Sequence, residues 1–360
     1  MKLKLRALAA VLALALALTA AGCHTSTPDA VGTVGGVEIS SGLYLLAQFD
    51  AYQSAAQYAG DGQDPADVKA FLAETITPDG GEAVTVSDYV ADETLNDLRR
   101  FAAVETRFAE LGQELSPAYA DQAEQYTSQL VENYGELYAA NGIGEESLRR
   151  YEENLFKQAA LVELLYGENG ETPLTDEELT DHLENGMLFV RYVTVPLYNA
   201  TTFAFADQAQ ADEMRALAEK AAAQATPDTF DEVMAQALPG ICAVLGSELT
   251  AEDAAAQIGS SFLTSSDLDS SFSAEAADAL RALQVGQTAV VDYGSLSLLS
   301  AMRLDPLETM TLDEARSTVL ADLGTARVEE DMAALGESLA ADLDGSAMAK
   351  LPAGRIKMSV

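Results

Sequence analysis

MLFVRYVTVPLY, residues 187–198, is the stretch on which the fold turns. Val190, Tyr192 and Val195 belong to a β-branched and aromatic run that Pro196 ends, and helical patterns lie on both sides of it. A lone strand leaves its backbone donors and acceptors unpaired, so this one needs a sheet to join. Downstream, residues 206–225, 226–238 and 273–283 carry helical spacing, with a looser Gly/Ser/Asp segment from Pro239 to Asp269. Alternating, Gly-turned strands follow near 288–292 and 296–303. The order is β, α, α, α, β, β.

Working outward, VGTVGGVEIS at 31–40 reads as a strand, a Gly-Gly turn and a second strand, followed by a helix over 40–59. Residues 92–111 form a helix with Leu95, Leu98, Phe101, Val104, Phe108 and Leu111 on one stripe, and Gly112 follows its end. Ser116 and Pro117 start another, reaching about Ala140. In residues 141–167, Leu148, Tyr151, Leu155, Leu161 and Leu165 are expected to face inward. Thr175–Glu178 and Thr311–Glu314 are capping boxes, the second opening a helix toward residue 343. The tail GRIKMSV alternates Ile356, Met358 and Val360 and suits an edge strand. The chain is therefore α+β and mostly helical.

Residues 1–22 join basic Lys2, Lys4 and Arg6 to the apolar run ALAAVLALALAL, which is short for a membrane span. The end of that segment, Leu18-Thr19-Ala20-Ala21-Gly22-Cys23, resembles the lipobox of bacterial lipoproteins, with Ala20 where leucine is commonest. The resemblance implies cleavage before Cys23 and a lipid on its thiol, followed by a polar tether over 23–30; an ordinary signal peptide with a chance cysteine is the alternative. Cys242 is then unpaired and reads as a small core residue, so hydrophobic cores rather than disulfides hold the fold.

Fifty-eight acidic against 20 basic residues give a net charge of −38, which excludes phosphate-contact binding of nucleic acid. Such a charge serves solubility, and it also attracts basic, unfolded segments. Asp61, Asp64 and Asp67 lack the spacing and final glutamate of an EF-hand, so no metal and no cofactor is expected. The chain has two histidines, His24 beside the anchor and His182 on a polar helix face, which excludes a Ser-His-Asp or zinc constellation.

Five segments together resemble the extracytoplasmic parvulin-type foldases, the PrsA and SurA group of secretion chaperones. They are VGTVGGVEISSGLYL, NGIGEESLRRYEENL, TDEELTDHLENGMLFVRYVTV, TPDTFDEVMAQAL and ADALRALQVGQTAVV, and their order and spacing cover about residues 31–343. The resemblance implies a helical chaperone region over 31–185 and an inserted parvulin-like, FKBP-like β-α-β domain over 186–306. A C-terminal helix over 307–345 would pack on the N-terminal module, and 346–360 would be a tail. It also implies an extracytoplasmic, membrane-anchored protein whose partners are unfolded or partly folded secreted polypeptides.

Departures from the family pattern fall on its active positions. Tyr192 stands where the first-strand histidine is expected, and Leu296, two residues past Gly294, where the second is. Val291 replaces a threonine, and Arg281 aligns with a phenylalanine of the proline pocket. X-Pro rotation crosses a barrier of about 18–20 kcal/mol, and lowering it needs polar groups around the twisting carbonyl and an apolar proline pocket. Tyr192 can donate one hydrogen bond; Val291 and Leu296 donate none through their side chains. No residue is assigned a catalytic role, and the isomerase domain is expected to be weak or inactive. An active isomerase with a rebuilt site is one alternative. A ligand-binding lipoprotein of a transport system is another, though repeated parallel strands are missing.

Overall fold

The computed structural model describes residues 27–78 and 80–360, so Cys23, His24 and the segment 1–22 lie outside the described residues, as does the first half of the tether. The chain divides into two compact units, one formed by the residues up to Leu161 together with Arg327–Val360, the other by Val162–Ala326.

The first unit opens with an antiparallel hairpin of β1 (Ala30–Val34) and β2 (Val37–Ser40), turned by Gly35 and Gly36, both at positive φ. Ser40 then caps α1 (Ser41–Gln57), its Oγ accepting the Leu43 N–H at 3.2 Å. A short helix α2 (Val68–Phe71) and a two-residue pairing of β3 (Thr75–Ile76) with β4 (Val84–Thr85) lead into α3 (Val86–Glu110). Along α3, Leu98, Phe101, Val104 and Phe108 are buried. Ser116 caps α4 (Pro117–Ala140), with Pro117 in its first turn, and α5 (Glu145–Tyr166) carries the chain into the second unit.

There, the Thr175–Glu178 capping box starts α6 (Asp176–Asp181), which widens into a π turn over His182–Gly186. Next comes β5 (Leu188–Pro196), then α7 (Gln208–Ala222), α8 (Phe230–Cys242) and α9 (Ala251–Ala255). After them follow β6 (Gly259–Leu263), α10 (Ser265–Ser271), α11 (Ala274–Arg281), β7 (Thr288–Tyr293) and β8 (Ser297–Arg303). The strands form one antiparallel sheet in the order β6-β5-β8-β7. Residues of β5 alternate between its two faces. Val193 and Val195 join Met214, Phe230, Met234 and Cys242 of α7 and α8 in one core. Leu188 and Val190 join Leu268, Ala277 and Leu280 of α10 and α11 in another.

Strand β6 departs from the expected β, α, α, α, β, β order, because it lies in the segment read as a loop. Gly259, Ser260 and Ser261 carry little strand propensity; the open edge of β5 recruits them by backbone pairing. The 186–306 boundaries also differ from the compact unit. A third core of Leu174, Leu179, Leu183, Met187, Ala315 and Val319 ties α6 to α12 (Leu312–Val319) within the second unit. The Arg316–Asp176 ion pair at 2.9 Å links the same two helices. The long helix expected after Pro306 is interrupted by a π turn over Leu320–Gly324, and α13 (Thr325–Ser338) is the part that returns to the first unit.

Back in the first unit, Gly336 of α13 allows close approach to α3: a β-carbon there would stand 2.9 Å from the Arg99 carbonyl oxygen. Strand β9 (Ala341–Leu343) then pairs with β1, giving the order β2-β1-β9. This strand, not the tail, fills the edge. After α14 (Gly345–Met348), the tail is held by Asn141, which donates to the Lys357 carbonyl at 2.9 Å and accepts the Lys357 N–H at 2.8 Å. Ile356 and Met358 pack into the helical cores, so their alternation reflects burial without a strand ladder.

Gly32 marks the tightest point of the β1–β9 contact. Its φ is +131°, and a β-carbon would lie 2.2 Å from the Asp342 carbonyl oxygen. Gly32→Ala is expected to destabilise the first unit by about 3 kcal/mol in urea unfolding. Gly36→Ala, also at positive φ but with open space around it, should cost only about 1–2 kcal/mol.

Candidate functional site

Tyr192 lies on the α10–α11 side of the sheet, paired with Ala301 on one flank and Gly259 on the other. Its ring covers the cross-strand Gly259: a β-carbon built there would be 3.3 Å from the tyrosine hydroxyl. With Thr194, Ser261, Phe272 and Tyr293 it lines a cleft of about 300 Å³. Among the described residues, no protein group hydrogen-bonds the Tyr192 hydroxyl. The Asp267 carboxylate in the same cleft is occupied, accepting from the Thr264 N–H and hydroxyl at 2.9 and 3.0 Å.

The other three family positions do not converge on that cleft. Val291 is buried in the core beneath this sheet face, opposite Leu299. Arg281 points outward and pairs with Asp269 and Asp278, so it brings no charge into an apolar pocket. Leu296 sits in the β7–β8 turn, 45% exposed, beside a different depression lined by Leu197, Phe205, Arg215 and Asp292. His182 is also placed differently from the expectation of a polar helix face. Its Nε2 lies 2.7 Å from Asp322 Oδ2, joining the two π turns of the second unit. Cys242 is buried in the α7–α8 core, and burial pushes its thiol pKa up, which keeps it in the unreactive protonated form.

The first unit carries a groove of about 670 Å³ walled by α1, α3, α5 and α13. Leu43, Leu98, Phe101, Tyr151, Leu155 and Met332 supply apolar wall. Leu155, expected to face the core, is instead 42% exposed and opens onto this groove. Helices α3 and α5 are clamped beside it by Asn154, whose Nδ2 donates to the Phe101 carbonyl at 3.0 Å and to Glu105 Oε1 at 2.9 Å. Lys157 completes that clamp on Glu105 at 2.7 Å.

Charge is concentrated in the same groove. Asp50, Glu93, Asp97 and Glu329 line it, against the single guanidinium of Arg100. Arg100 is engaged by Glu93, at 2.7 Å, and by Asp97. Among the described residues, no protein donor reaches the Asp50 carboxyl. Burial first, and then the like charge of Asp97, push Asp50 up to about 7. Burial, with Asp50 and Asp97 adding to it, pushes Tyr151 up to about 12.

No family model matches the chain, and no curated protein matches it. Among solved structures, it is similar to the foldase protein PrsA from Streptococcus pneumoniae str. Canada MDR_19A. That match has 12% identity and a TM-score of 0.34, over 80% of this chain and 96% of that one. PrsA from Bacillus subtilis is similar at 15% identity and a TM-score of 0.27, over 78% of this chain and 93% of that one.

Sequence reasoning missed the groove because its walls come from helices nearly 300 positions apart. The available signal was local: Asp50 follows Leu43, Leu46 and Ala47 on one face of α1 and breaks its apolar run. The Asp67 carboxylate accepts the Ala70 N–H and caps α2, and Asp64 accepts the Ala66 N–H, so these two serve the loop itself. No group of three or more His, Cys, Asp or Glu side chains among the described residues is arranged to hold a metal ion.

A carboxyl whose folded pKa is raised binds its proton more tightly in the native state, so it costs stability as pH climbs from its unfolded value toward 7. Asp50→Asn is therefore expected to raise the melting temperature at pH 8. That gain should shrink toward nothing near pH 4, as followed by circular dichroism.

Proposed function

We propose that this protein is an extracytoplasmic folding factor that binds non-native secreted polypeptides in the groove of its helical unit. In this reading a lipid on Cys23 holds it at the membrane, and its parvulin-like sheet domain has weak or no isomerase activity. The observation that carries the proposal is the open groove with apolar wall between its charged groups, and Leu155 exposed on it. Such a surface takes apolar side chains of an extended chain without needing any catalytic residue. The sequence motifs of the secretion foldases point the same way. No helix among the described residues is long and apolar enough to cross a membrane, so the anchoring in this reading rests on Cys23.

Tyr192 supports a second reading. Its unpartnered hydroxyl lines a cleft with Thr194 and Ser261, where it would donate to a twisting X-Pro carbonyl in a rebuilt isomerase. The transport-lipoprotein alternative has no such support, since every strand pairing among the described residues is antiparallel.

Two assays separate these readings. The soluble chain from residue 24 is expected to slow aggregation of an unfolded client, and Leu155→Glu to abolish most of that protection while Tyr192→Phe leaves it. In a protease-coupled assay the same protein should not accelerate prolyl isomerisation; clear activity lost in Tyr192→Phe would favour the rebuilt isomerase instead.

The anchor is tested separately. Cys23→Ala is expected to lose the mature protein from the membrane fraction on cell fractionation, and membrane retention of that variant as cleaved, mature protein would rule lipidation out.

A further inference from the structure

We infer that the groove of the first unit selects segments carrying a lysine or arginine among apolar residues, with the Asp50 carboxylate as counter-ion to that cation. This inference rests on the reading that the groove holds non-native polypeptide, and it names which segments are held.

Charge balance in the groove commits it to a cation. Four carboxylates line it against one guanidinium, and that guanidinium is already taken by Glu93 and Asp97. Asp50 is left on the α1 wall without a protein donor, in the helix segment that also contributes Leu43 and Ala47 to the lining. Glu329 on α13 lines the same groove and adds a further acceptor. A lysine side chain has the form such a site requires, since its methylene stem lies against apolar wall while its ammonium reaches an acceptor. A neutral apolar side chain would fill the same space and leave Asp50 desolvated and unpaired, which is costly.

The charged and titratable groups around Asp50 come from four helices. From α3 these are Asp97, Glu93 and Arg100; from α4, Tyr138; from α5, Tyr151 and Glu152; from α13, Glu329. Arg100 is the only cation in this set, and it lies on the Asp97 side. With Asp50 pushed up to about 7, an arriving ammonium displaces a proton from it. Cation binding therefore tightens as pH rises through neutrality, by at most about tenfold per pH unit for one proton released.

The test uses the full chain and two labelled nonapeptides that differ at one central position, lysine in one and norleucine in the other, flanked by leucine and phenylalanine. Fluorescence anisotropy gives each Kd at pH 6 and pH 8. The lysine peptide is expected to bind at least fivefold tighter at pH 8, with the advantage falling severalfold at pH 6. Asp50→Asn should remove both the advantage and its pH dependence, while Glu114→Gln, an exposed carboxylate outside the groove, leaves them. Equal affinities for the two peptides, or a lysine advantage that survives in Asp50→Asn, would overturn the inference. An equal loss in Glu114→Gln would overturn it too, by assigning the preference to overall charge. Norleucine binding that is sensitive to Leu155→Glu but lacks any lysine preference would remove this inference alone. Failure of both peptides to bind would remove it together with the groove as the client site.

Discussion

Strand β1 is paired on both flanks, by β2 from its own hairpin and by β9 from more than 300 residues downstream. The core that joins the two ends of the first unit depends on that closure. A three-stranded sheet with one short central strand is not stable alone, and it persists here because Val31, Val34 and Ile39 are buried against α1 and α3. The closure is possible only because residue 32 lacks a side chain, so that the Asp342 carbonyl can pass over it. Two stretches of chain thus form one core, and the second unit is an excursion of the sequence between them. The same arrangement brings α13 against the backbone of α3 at Gly336 and supplies the fourth wall of the groove.

The second unit is organised by β5. Its nine residues pair with two strands, and its alternating side chains enter two separate cores. The face toward α7 and α8 is filled by Val193, Val195, Leu298 and Met302. The opposite face is filled only as far as Val190, beyond which Tyr192 and Thr194 border open space. The cleft exists because the covering helices α10 and α11 pack over the Leu188 end of the strand. Tyr192 is consequently a half-buried residue with a free hydroxyl rather than one member of a polar network, and a single donor does not make a catalytic site.

Electrostatics separates the two depressions. Around the cleft, the charged groups are satisfied, Asp267 by its own helix cap and Arg281 by two aspartates outside it. In the groove one carboxyl is left without a donor in a place where burial makes its charge expensive. An ionisable group perturbed by burial in a concave surface is a common mark of a binding site. The excess of acid over base in the whole chain gives long-range attraction for cations. Asp50 converts that diffuse field into a local contact.

Several elements were readable from the sequence alone because their determinants are local. Ser116-Pro117, Thr175–Glu178 and Thr311–Glu314 fix helix starts through hydrogen bonds spanning three residues. Gly35-Gly36 fixes a turn, and the alternation in 288–303 fixes two strands. The mostly helical α+β class follows from such signals. Tertiary structure decided what they cannot encode. Strand β6 begins with Gly259, Ser260 and Ser261, which carry little strand propensity, and it pairs with the edge that β5 offers. The alternation at Ile356 and Met358 looked like a strand, yet their backbone is held by Asn141 from α4. His182 found Asp322, and Leu155 turned outward to a groove, through contacts between segments far apart in the chain. Periodicity tells which face of a helix is apolar, but what covers that face, or leaves it open, depends on which distant segment packs there.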